Sequence, residues 1–203
     1  TIAEKDGDPK RVTVESSIDA ASIDALTKVQ QDMLVKMPGL TTQEVPKIHM
    51  AMNHFGKPRE LFEDVRRANP DLSYDQFMAS FTVLCRQCSQ LMKTPLRLKG
   101  AEVKLFDKGA VVVTFKKSSE TDAVQQTISE HTNYFLQSLG VQNPLQFRKS
   151  SPNLNYGLPE TFNPHVTLAK VNNGATISPE ILSMDVSGLS ISFLPPEIAN
   201  VQL

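Results

Sequence analysis

Two stretches far apart in the chain carry the same pattern around a histidine. Residues 47–56 read KIHMAMNHFG and residues 162–171 read FNPHVTLAKV. Both have the apolar, β-prone look of a short strand. In a strand, successive side chains point to opposite faces. Alternation therefore predicts that His49, Ala51 and Asn53 share one face, with Met50, Met52 and His54 behind. It groups His165, Thr167 and Ala169, with Val166 and Leu168 on the apolar back. Each histidine then stands on the less apolar side of its strand, as a reactive group does when a rigid sheet displays it into a groove.

Two imidazoles across one groove suit a phosphodiester with a neighbouring hydroxyl. One ring takes a proton and the other gives one to the leaving oxygen. A side-chain pKa of about 6.5 lets one ring be neutral and the other charged near neutral pH. The hydroxyl of Thr167, two residues along from His165, can donate to a phosphate oxygen and stabilise the charge that builds in the transition state. This chemistry requires no metal or cofactor, and none is expected. The lone C-x-x-C of Cys85 and Cys88 supplies two of the four ligands a structural zinc needs. Phe77, Phe81, Leu84, Cys88 and Leu91 share one helical stripe, so packing of reduced thiols is expected there.

The elements that must position these residues follow from periodicity. RVTVESS alternates as a strand. Ile23, Leu26, Val29, Met33 and Met37 lie at helical spacing, with Ser22 ahead and Pro38-Gly39 behind. KPRELFEDVRRANP predicts a short helix, and Ser73 with Gln76 a capping box for a longer one reaching Lys93. LRLKGAEVKLF and AVVVTFKK read as two strands joined at Asp107-Lys108-Gly109. Val124, Ile128, His131, Phe135 and Leu139 stripe a further helix that ends at Gly140. LQFRKS is expected as a strand, residues 150–164 as a loop, and LSISFLP as a last strand. Interleaved strands and helices with hairpins predict an α+β class with mostly antiparallel sheet.

The paired motifs resemble those of the two-histidine (2H) phosphoesterase superfamily, which includes 2′-5′ RNA ligase-like proteins and RNA cyclic phosphodiesterases. His165-Val166-Thr167-Leu168 is a full match, with Pro164 before it and Ala169-Lys170 after it. His49-Met50-Ala51-Met52 keeps the histidine and the apolar positions, and Phe55-Gly56 closes it, but Ala51 stands where threonine or serine is usual. The resemblance implies a bilobed fold over residues 1–203, in which two similar lobes flank a central cleft and each gives one histidine. It implies metal-independent acid/base catalysis by His49 and His165 on a 2′,3′-cyclic phosphate or a 2′-5′ linkage, with Thr167 on the phosphate. Asn53 could replace the missing hydroxyl as a donor, and Tyr156, in the loop before the second motif, could stack on a base. The alternative is a module of the same fold that binds a nucleotide or RNA end without cleaving it.

Composition narrows the partners. Lys plus Arg total 21 and Asp plus Glu 22, a net charge of −1 that argues against coating duplex DNA by bulk charge. No apolar run is long enough to span a bilayer and no signal-peptide pattern opens the sequence, so a cytoplasmic monomer acting on nucleotides or short RNA is expected.

Overall fold

The structure, a computed structural model, describes residues 10–201, with Tyr156 described through its backbone alone. The alternation of RVTVESS forms β1 (Val12–Ser17), which buries Val12, Val14 and Ser16 and leaves Glu15 half-buried. It is flanked by β3 (His49–Gly56) and β8 (Glu197–Ala199), both antiparallel to it, in a three-stranded sheet. A second antiparallel sheet contains β2 (Thr41–Thr42), β6 (His165–Lys170), β5 (Ala110–Phe115), β4 (Leu96–Phe106) and β7 (Ser190–Phe193), in that spatial order. Two antiparallel sheets with helices packed on them make the fold α+β and bilobed, as expected.

The helices are α1 (Ile23–Lys36), α2 (Pro58–Arg66), α3 (Tyr74–Leu91), α4 (Ser119–Ser138), α5 (Pro144–Ser150) and α6 (Pro179–Leu182). Ser73 and Gln76 cap α3 reciprocally, and Ser118 and Thr121 do the same for α4. Both satisfy backbone N–H groups that a helix start otherwise leaves open. Phe55 of β3 meets Phe81 of α3 edge-on at 5.6 Å, and Phe77 meets Phe135 of α4 at 5.8 Å. Each such buried ring is worth about 1.5–3 kcal/mol in transfer alone. Asp19 N–H donates to Ser192 O, and Leu194 N–H to Ser17 O, both at 2.9 Å. These bonds tie the end of β1 to β7 and so fix one sheet against the other.

Three expectations are corrected. LQFRKS is helical, not extended: Asn143 Oδ1 accepts from Gln146 N–H at 3.2 Å and Pro144 opens the first turn of α5, a start signal that outweighs a brief alternation. Leu91, placed on the buried stripe, is 57% exposed, because it is the last residue of α3 and runs past the packing partners of Phe77 and Phe81. LSISFLP forms β7 but is not the last strand: β8 follows it, and β8, like β2 and α6, is too short to carry a pattern of its own and exists through its neighbours. Cys85 and Cys88 are buried free thiols on α3, and burial pushes both up to about 12, so they stay protonated near neutral pH.

Candidate active site

Proline places the start of each histidine strand. Pro46 lies in a single helical turn, Val45–Lys47, and Pro164 directly precedes β6. Both strand starts hold the ring in the same way. His49 Nδ1 lies 3.0 Å from Lys47 O, and His165 Nδ1 lies 2.8 Å from Asn163 O, in each case the carbonyl two residues back. A carbonyl only accepts, so each Nδ1 carries the hydrogen and each Nε2 is left for chemistry. The two rings line one cavity of about 280 Å³, together with Ala51, Thr167, Gln43 and Lys47. Thr167 faces the same way as His165, opposite Val112 while His165 is opposite Thr114. The ring of Phe106 leans edge-on against His165 at 4.8 Å and limits its swing.

Glu15 borders the candidate site through His49, which alternation in β1 could have indicated had the pairing of β1 with β3 been known. It lies opposite Ala51, accepts from Thr13 Oγ1 at 3.1 Å, and holds Oε2 3.6 Å from His49 Nε2. The position that lacks a hydroxyl therefore faces a carboxylate.

Both histidine strands break alternation at the same point. In β3, Glu15 pairs with Ala51 and Val14 with Asn53, so Met52 is an extra residue. In β6, Val112 pairs with Thr167 and Val111 with Ala169, so Leu168 is extra. An extra residue in one strand reverses the facing of everything beyond it. Each bulge lies three residues after its histidine, and the carbonyl of each is held by a buried glutamine. Gln125 Nε2 of α4 donates to Met52 O. Gln30 Nε2 of α1 donates to Leu168 O at 2.9 Å and to Gln43 O at 2.7 Å.

These bulges correct the facing expected from strict alternation. Asn53 does not share the face of His49: it pairs with the core residue Val14 and is 2% exposed. It packs against Gly157, where any added Cβ would collide with Asn53 Oδ1, so it seats the loop and does not meet the cavity. His54, expected behind, is opposite Thr13 and so on the side of Glu15 and His49. Burial, then the Arg11 cation and more weakly His49 and His165, lower its pKa, against an opposing pull from Glu15. Ala169 turns to the core, and Lys170, opposite Ala110, turns to the face of His165. The side chain of Tyr156 lies outside the described residues.

The loop before β6 is fastened by charge and amides. Asp64 of α2, buried, accepts from Ser151 Oγ at 2.8 Å and Asn153 Nδ2 at 2.9 Å. Gly56, at φ +78°, lets Asn153 come close, since a Cβ there would collide with Asn153 Oδ1. Arg148, 1% exposed, donates to Ser129 Oγ, Asn133 Oδ1 and Gly157 O at 2.7, 3.0 and 3.1 Å. Sequence periodicity gives no hint of this buried cation, because it lies on the segment read as a strand.

No family model matches the chain, and no curated protein does. Among solved structures it is similar to TT0787 of Thermus thermophilus, at 13% identity over 93% of this chain and 84% of that one, with a TM-score of 0.51. A structure described as a phosphoesterase is similar at 10% identity over 91% and 84%, with a TM-score of 0.46. E. coli LigT complexed with phosphate is similar at 10% over 97% and 96%, with a TM-score of 0.47. The likeness to TT0787 is one of fold and extends over nearly the whole chain. The chemistry of the site has to come from its own residues.

Proposed function

We propose that this chain is a metal-independent phosphodiesterase that opens 2′,3′-cyclic phosphates or 2′-5′ linkages with two histidines. The observation that carries the reading is the shared cavity: two rings, each with Nδ1 bonded to a carbonyl two residues back, border one space with Thr167 beside them. We assign His165 the base's part. Its Nε2 takes a proton from water as the water oxygen attacks phosphorus. His49 is the acid, since Glu15 stands where it pairs with the charged ring, the form that can give a proton to the departing ribose oxygen. Thr167 Oγ1 donates to a non-bridging phosphate oxygen. A second reading has its own support. Ala51 with Glu15 opposite removes one donor and adds a negative charge near the phosphate, which suits a module that holds a nucleotide without cleaving it.

Turnover of a 2′,3′-cyclic nucleotide and of 2′-5′ oligoadenylate, beside calorimetry with the corresponding monophosphate, separates the two. Catalysis predicts product formation, and a loss of about ten- to a hundredfold in kcat for Thr167→Val, as for a lost hydrogen bond to a charged group. Binding heat with no product from either substrate would favour the binding module and overturn the catalytic reading.

A further inference from the structure

The bulge at Met52 exposes more than His54 alone. Beside the histidine cavity lies a second, of about 310 Å³, lined by Arg11, His54, Gly56, Pro152, Asn153 and Asn155. The register of β1 against β3 relates the two cavities along one strand. Ser17 faces His49, Glu15 faces Ala51 and Thr13 faces His54, and Arg11 follows just before β1 begins. From the level of Ala51 to that of His54 is two residues of β1, about 7 Å at a strand's rise of about 3.3 Å per residue. That is the span of one sugar–phosphate unit in an extended strand.

The lining matches such a unit. The planar guanidinium of Arg11 is suited to two oxygens of a phosphate. Asn153 is pre-positioned by its bond to Asp64, and exposed Asn155 adds a second amide. His54 adds an imidazole to the lining, and burial and then Arg11 lower its pKa, which disfavours a second positive charge beside Arg11.

We propose that Arg11, His54, Asn153 and Asn155 form a subsite for the phosphate and sugar next to the reacting linkage, so that the protein selects oligonucleotides over mononucleotides. The inference rests on the phosphodiesterase reading for its placement along the substrate. Its test compares kcat/KM for a 5′-phosphorylated dinucleotide ending in a 2′,3′-cyclic phosphate with that for the 2′,3′-cyclic mononucleotide. The dinucleotide is expected to be favoured at least about tenfold, the scale of one charge-assisted hydrogen bond. Arg11→Gln and Asn155→Ala should raise KM for the dinucleotide alone, Arg11→Gln by about tenfold. Lys10→Gln, which removes a neighbouring exposed cation, should change neither substrate. Equal effects of Arg11→Gln on both substrates, or none on either, would overturn the subsite. Should neither substrate be turned over, the catalytic reading fails separately. Calorimetry with 5′-phosphorylated 2′-5′ diadenylate then decides the subsite: about tenfold weaker binding by Arg11→Gln upholds it, and unchanged binding overturns it.

Discussion

His54 shows how a single side chain ties the cleft to stability. Its surroundings are Arg11, Glu15, His49 and His165, and burial lowers its pKa below the ordinary value of 6.5. The unfolded chain therefore binds a proton at a higher pH than the folded one. Stability due to this group is unaffected above the ordinary value. It falls as pH drops from there towards the lowered folded value, where the loss is complete. His54→Gln removes that proton uptake. Urea midpoints at pH 7.5 and pH 5.5 should show wild type losing more on acidification than the variant; parallel losses would contradict the assignment. Some of the candidate site is legible at this scale. His49, His165 and Thr167 follow from type and spacing, whereas Glu15 and Arg11 enter only when β1 is known to pair with β3. Strict alternation puts Asn53 on the wrong face for a local reason: nothing in HMAMNHFG marks Met52 as the extra residue.

At the scale of elements, both bulges depend on glutamines that come from other parts of the chain. Gln125 lies on α4 and Gln30 on α1, both buried; Gln125 donates to Met52 O, and Gln30 donates to Gln43 O and to Leu168 O, which also accepts from Gln43 N–H at 2.8 Å. Losing a buried amide donor that carbonyls rely on costs about 1–3 kcal/mol. Gln125→Leu and Gln30→Leu should each lower unfolding stability by that amount in urea titrations. Exposed Gln126→Leu, on the same helix as Gln125, should stay within about 0.5 kcal/mol of wild type. Equal stability of all three would show that the bulges hold themselves. The long helices and the β4–β5 hairpin are legible because each carries several turns of period and its own caps. Segment 145–150 is not, because a run of six residues fits either period and the deciding signal is Asn143-Pro144 just before it. The bulges are not, because they arise from pairing between distant strands.

Over the whole molecule, the α+β class follows from element order, whereas the two-lobed plan is implied only by the resemblance of the paired histidine motifs. What brings the lobes into a working relation is tertiary: the bonds between the end of β1 and β7, and the packing of the loop from Ser151 to Gly157 against β3 by Asp64, Arg148 and Asn53. Among the described residues no helix is long and apolar enough to cross a membrane. On the proposed reading, this near-neutral chain recognises phosphate through a few groups placed in the two cavities and not through bulk charge. The central claim is that His49 and His165 act together on one phosphate. The most direct measurement is kcat/KM on a 2′,3′-cyclic nucleotide for His49→Ala, His165→Ala and the double variant. Each single change should cost about a hundredfold to ten-thousandfold, and the double variant should be little worse than the weaker single one, as for residues that work as a unit. A single variant that keeps the wild-type rate would contradict the account.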